Sequence, residues 1–289
     1  MSKVYQIGSQ WPGFPAIRNL FVFGDSYSSV LTAYFRGRPD IRPSAALPLG
    51  VPFPGEMGGL WNEPDAPNWV GHLITKHCPH PRYKPDQEHD PEFTANPFLV
   101  YDYAIGGNTV SGVQTQVSSF LDGAGAKPDW ALWSGKDSLF VTWVGINDCA
   151  YSRDHSDNIK TLFDIQQRLY DAGARNFLFI DVPPMHKSPA ISYYLADSAS
   201  VSYHDWNSCL ATALNSFSSS HPDTTVMLFS SYQTFYSIFD NPVDHGFEEK
   251  DIHKRGGAIW YDHLHPTSAV HDIVAAFLAD FLSEVTPAN

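Results

Sequence analysis

Five short, nearly unbroken apolar stretches punctuate the chain: "LFVFG" (20–24), "FLVYDYA" (98–104), "SLFVTWVG" (138–145), "NFLFIDV" (176–182) and "TTVMLFS" (224–230). Each is bounded by polar or turn residues, and its apolar character is continuous instead of alternating. That pattern predicts strands covered on both faces by helices. Helical periodicity lies between them. In "DNIKTLFDIQQRLYDAGAR", Ile159, Leu162, Phe163, Leu169 and Tyr170 share one face, and Gly173 stands where a C-cap glycine belongs. Near the end, Val270, Ile273, Val274, Phe277, Leu278, Phe281 and Leu282 form one stripe, and Pro266 reads as the first helical residue. Strand and helix alternate, so the expected fold is α/β with a parallel sheet between helices. Two long connections, 36–65 and 79–97, are rich in Pro, Gly and charge and read as binding loops. With no repeat, low-complexity tract or linker, the expectation is a single domain spanning 1–289.

Composition narrows the partners more than the fold. The net charge of −13 over 289 residues disfavours nucleic acid and anionic membranes, which would repel the chain. The longest apolar runs fall far short of a membrane span. The first twenty residues contain no continuous apolar h-region. The expectation is therefore an intracellular protein, or a secreted one whose signal has been removed. The absence of an N-x-S/T sequon favours the former. Cys78, Cys149 and Cys209 are widely spread, so no C-x-x-C motif exists and at most one internal disulfide is possible.

In open α/β sheets, ligands bind outside the carboxyl ends of the strands. After the first strand comes Gly24-Asp25-Ser26, which reads either as a capped turn or as a nucleophile at the sheet's mouth. After the second comes "AIGGNTVSG", and after the third "GINDCA" with Asn147 and Asp148. Ahead of the final helix stands "WYDHLHPT", with Asp262 and His265 three residues apart. Singly, each has a bland explanation in a tight turn, a helix cap or a solvated loop. Together they supply what acyl transfer needs. A serine hydroxyl requires an adjacent base, and an imidazole that titrates near neutral pH can serve. A carboxylate three residues away fixes its tautomer. A glycine N–H at Gly107, the Asn147 amide and the Ser26 N–H can receive the oxyanion. Asp25 and Asp148 read as local braces for these turns. The histidines show no metal-binding spacing, and the G-x-S-x-G elbow is absent.

"FVFGDSYS", "YAIGGNTV", "VGIND" and "DHLHP", in this order along nearly the whole chain, resemble the conserved blocks of the SGNH (GDSL) hydrolases. The flanking "WPGFPAIRN" and "APNWV" are similar to the fungal branch containing carbohydrate esterase family 16 acetylesterases. The resemblance implies a flavodoxin-like three-layer α/β/α sandwich with a mostly five-stranded parallel sheet. It implies a nucleophile at Ser26, an acid and base at Asp262 and His265, and an oxyanion hole of Ser26, Gly107 and Asn147. It also implies no metal or cofactor. His263 is a rival base, Gly106 a rival donor, and Tyr27 stands where many members carry Leu, which would reshape the pocket beside the nucleophile. The implied activity is hydrolysis of O-acetyl esters, on a sugar or small oligosaccharide. Trp61, Trp260 and Tyr261 are candidates to stack on that sugar; Trp69 and Trp143 lie near the site loops too, with Trp143, inside a strand, read as core. A broader acylhydrolase acting on longer chains is the alternative, and a non-catalytic ester- or glycan-binding protein a remote one.

Overall fold

The computed structural model describes residues 1–32, 41–87 and 89–288. The start of the long 36–65 connection, residues 36–40, lies outside them. Six strands form one sheet: β1 (Lys3–Gln6), β2 (Asn19–Gly24), β3 (Leu99–Asp102), β4 (Ser138–Trp143), β5 (Asn176–Ile180) and β6 (Thr225–Phe229). Their spatial order is β1-β6-β5-β4-β2-β3. From β6 to β3 every neighbouring pair is parallel, while β1 adds antiparallel to the β6 edge. The five expected strands are all present. β1 is an addition, a half-exposed four-residue edge strand, "KVYQ", too short and too polar to stand out as an apolar run.

Taken in chain order, the five parallel strands lie 2-1-3-4-5, the flavodoxin-like arrangement. Its crossover order reverses between β2 and β4, and a crevice opens there at the carboxyl ends. Among the described residues, eight helices cover the sheet. One group comprises α1 (Trp69–His72, running on as a π-turn through Leu73–His77), α7 (Ser231–Asp240) and α8 (Ser268–Glu284), with α8 packed on both others. The second comprises α3 (Val110–Asp122), α5 (Ser156–Asp171) and α6 (Ala196–Ser220), packed in that order. The short α2 (Pro91–Ala95) precedes β3, and α4 (Ile146–Tyr151) follows β4 and rests on α6.

All six residues of β2 are buried, which explains its apolar run. Phe21 at its centre stacks between Tyr101 and Phe140, each 4.6 Å away, with Phe120 of α3 edge-on at 5.2 Å. Each such pair adds roughly 0.5–1.5 kcal/mol beyond area burial and holds β3, β2 and β4 in fixed register. α5 ends as its sequence predicts: Gly173 adopts φ +107°, its N–H donates to Tyr170 C=O, and Ala174 N–H donates to Leu169 C=O. α8 begins two residues later than expected, at Ser268. Thr267 is its N-cap, accepting from Val270 N–H, so Pro266 precedes the cap and instead bridges Trp260.

Candidate active site

β2 ends in a confined space. A Cβ on Gly24 would strike the Trp143 carbonyl of β4, so only glycine lets β2 run this close to its neighbour. Gln116 of α3 clamps the same residue, accepting from Gly24 N–H at 3.0 Å and donating to Gly24 C=O at 2.7 Å. The chain then turns sharply. Asp25 C=O accepts from the N–H groups of Ser28 and Ser29, and Asp25 Oδ1 accepts from Tyr27 N–H at 3.1 Å. Ser26 stands on this turn, 6% exposed. Among the described residues its N–H has no hydrogen-bond partner.

The Asp262–His265 turn meets it from the far end of the sequence. Asp262 Oδ1 accepts from the N–H groups of Leu264 and His265, both at 2.7 Å. Its Oδ2 accepts from His265 Nδ1 at 2.8 Å, and His265 Nε2 then accepts from Ser26 Oγ at 2.9 Å. Partial burial works to raise the Asp262 carboxyl, but these donors outweigh it and hold the group below the ordinary carboxylate range. For His265, burial lowers the pKa and the Asp262 pair raises it; burial wins, so the ring sits below its ordinary value. At neutral pH it is an unprotonated acceptor. His263 is half exposed, and its Nδ1 comes only within 3.9 Å of Asp262. Of the two histidines, His265 is the one hydrogen-bonded to Ser26.

Tyr27 occupies a different place from the one expected. It is wholly buried and forms no pocket wall. Its hydroxyl donates to Leu264 C=O at 2.8 Å, inside the Asp262–His265 turn, and its ring centre lies 6.1 Å from that of His265. The residue after Ser26 thus holds the loop that carries the imidazole. Gln116 is marked by no sequence motif, and the motif that contains Tyr27 does not show this role. Gln116 sits on the buried stripe of α3 with Val113, Val117 and Phe120, and a polar residue on such a stripe is the only signal available.

On the other side of the crevice, Asn147 occupies the first turn of α4, its Nδ2 donating to Asn108 C=O at 2.9 Å. Asp148 Oδ1 accepts from Val110 N–H, tying the start of α4 to the start of α3. Gly107 adopts φ +78° with open space around it, and its N–H has no partner among the described residues. Gly106 lies flat against the Trp61 indole, where a Cβ would collide with the ring. Trp61 is 40% exposed, and its ring centre is 5.0 Å from that of His265. Asp25 and Asp148 each keep their Oδ2 buried and unpartnered among the described residues. Burial is the main cause that raises these carboxyls, to about 7 for Asp25, with Asp148 adding to it, and to about 6 for Asp148.

The aromatic candidates divide. Trp260 is corrected: it is wholly buried against Phe235 and Phe239, with its Nε1–H donated to Ile252 C=O, so neither face is open to a sugar. Trp69 and Trp143 are likewise core. Tyr261 is 40% exposed on the imidazole-bearing loop, its N–H donated to His265 C=O. Cys149 is a buried thiol pushed up to about 12, chiefly by burial. All three cysteines are free, and among the described residues no cluster of three or more His, Cys, Asp or Glu could hold a metal ion.

This geometry can be set against known proteins. Residues 20–278 match the GDSL-like lipase/acylhydrolase family model. The chain is a GDSL hydrolase. A relative, an acetylesterase of Thermothelomyces thermophilus, is 30% identical over 287 residues, covering 90% of this chain and 87% of its own. A thermolabile hemolysin of Vibrio parahaemolyticus is 24% identical, covering 61% of this chain and 50% of its own. An acetylxylan esterase from Geobacillus stearothermophilus shares the fold, with a TM-score of 0.54 at 12% identity, over 94% of this chain and 97% of that one. This GDSL hydrolase therefore acts on ester bonds. No helix among its described residues is long and apolar enough to cross a membrane.

Proposed function

We propose that this hydrolase is a serine esterase that removes short acyl groups, acetyl above all, from carbohydrates through an acyl-enzyme. The observation that carries the reading is the unbroken hydrogen-bond chain from Ser26 Oγ through His265 to Asp262, with links of 2.9 and 2.8 Å. Neutral His265 takes the Ser26 proton on Nε2 as Oγ forms a bond to the ester carbonyl carbon. Asp262 stabilises the resulting imidazolium. The N–H groups of Ser26 and Gly107 and the Asn147 amide receive the negative carbonyl oxygen. Gly107 is favoured over Gly106 because its surroundings are open, whereas Gly106 lies against the Trp61 indole. Collapse breaks the bond to the alcohol, which leaves with the proton from His265. A water molecule then repeats the cycle on the acyl-enzyme, releasing the carboxylic acid and restoring Ser26.

The acetyl and carbohydrate parts draw on the similarity to an acetylesterase along 90% of the chain and on the half-exposed Trp61 ring beside the imidazole. Hydrolysis of nitrophenyl esters from acetyl to palmitoyl tests the reading, with Ser26→Ala alongside. The expected rate peaks at acetyl, collapses beyond butyryl and vanishes in the variant. A rate that holds with chain length would make the protein a broader acylhydrolase. Near-full activity in Ser26→Ala would overturn the mechanism.

A further inference from the structure

Asn147 and Tyr151 sit four residues apart on α4, so they share a face of the helix one turn apart. Asn147 is partly buried and donates to Asn108 C=O; Tyr151 is 86% exposed. A groove of about 320 Å³ opens beside it, walled by Cys149 to Arg153 on one side and by Ile191, Ala199 and Ser202 on the other. Between Ile191 and Ala199 runs a single turn carrying Tyr193 and Tyr194, 85% and 93% exposed, with their rings 5.9 Å apart and perpendicular. Leu195 and Val201 are also exposed there. Large apolar side chains left this bare and this close together mark a binding surface.

The sheet order fixes where the groove lies. Its walls follow β4 and β5, and β4 lies next to β2, which carries Ser26. Cys149, which lines the groove, stands two residues after Asn147 on α4, so the groove opens beside the helix that carries that amide.

We infer that this groove, with the exposed turn beside it, is a glycan subsite, in which Tyr151 in the groove and Tyr193 and Tyr194 on the turn stack on the rings of a neutral oligosaccharide whose acetyl group enters the crevice at Ser26. The inference rests on the carbohydrate-esterase reading and deepens it. Three tyrosines present flat apolar rings with a hydroxyl at the rim, which suits the C–H faces and hydroxyls of a sugar. An acyl chain would have no use for those hydroxyls. The charge of −13 disfavours acidic glycans and anionic lipid surfaces.

The test compares the wild type with Tyr151→Ala, Tyr193→Ala and Tyr194→Ala on two substrates, O-acetylated xylotetraose and nitrophenyl acetate. Leu132→Ala, which trims an exposed apolar residue ahead of β4 at the opposite edge of the sheet, is the control. In the tyrosine variants, KM for the tetrasaccharide is expected to rise five- to tenfold with kcat little changed. The ratio of kcat/KM between tetrasaccharide and nitrophenyl acetate falls by the same factor, and Tyr194→Phe, which keeps the ring but not the hydroxyl, recovers only part of it. An unchanged ratio overturns the subsite while leaving the esterase reading intact. A wild type that cleaves nitrophenyl acetate but not the tetrasaccharide removes the carbohydrate reading itself. A selective loss on palmitoyl ester dispersions would instead make the surface a lipid contact.

Discussion

At the scale of single residues, the site depends on hydrogen bonds that each have one job. Asp262 fixes the His265 tautomer and raises a pKa that burial lowers. With neutral His265 as the base of the proposed mechanism, activity should fall as pH drops through its folded-state pKa. Asp262→Asn removes the raising influence. The acid limb of kcat/KM should therefore move to lower pH while the rate falls by about 10³–10⁴; a pH profile on nitrophenyl acetate reads both. Tyr27→Phe tests a residue that touches no substrate. It removes the hydrogen bond to the partly buried Leu264 C=O, which costs about 0.5–1.5 kcal/mol in thermal unfolding. With the imidazole loop loosened, kcat should fall more than KM changes. A variant that kept full kcat would reduce Tyr27 to a packing residue.

Elements do the positioning. Ser26 leaves the end of β2, Asn147 begins the helix after β4, and the parallel order sets these two strands side by side. Gly106→Ala probes the loop between β3 and α3. Its new methyl group would push Trp61 off the glycine and away from His265, so activity on an acetylated sugar should fall at least tenfold with the fold intact by circular dichroism. At this scale the sequence was easy to read where burial is symmetrical. β2 to β6 are largely buried and show as apolar runs, whereas β1 is half exposed and has a polar pattern. The motif residues were legible because they follow strand ends, where crevices form. Gln116 and Tyr27 were not, since buried polar contacts leave no spacing behind. Trp260 was misread because nearness to His265 along the chain does not tell which side of the loop a ring faces.

For the molecule as a whole, the buried carboxyls make stability depend on pH in an unusual direction. Asp25 holds its proton up to about pH 7 when folded, against about 3.9 in an unfolded chain. Between those values the folded state binds more protons, so stability declines as pH rises through the window. Asp148 acts in the same sense up to about pH 6. Asp25→Asn has no proton to surrender. The difference in melting temperature, variant minus wild type, should thus grow from pH 5 to pH 8, and a constant difference would refute the assignment. The sequence separation of 239 residues between Ser26 and His265 has its own consequence. During synthesis or refolding, the Ser26 turn can form long before His265 arrives, because the imidazole waits on the docking of α8 and the turn ahead of it. Ester cleavage then serves as an end-point signal, returning only when the last element has packed, after strand and helix signals have recovered. A chain cut short before the final turn would carry an intact serine with nothing to activate it.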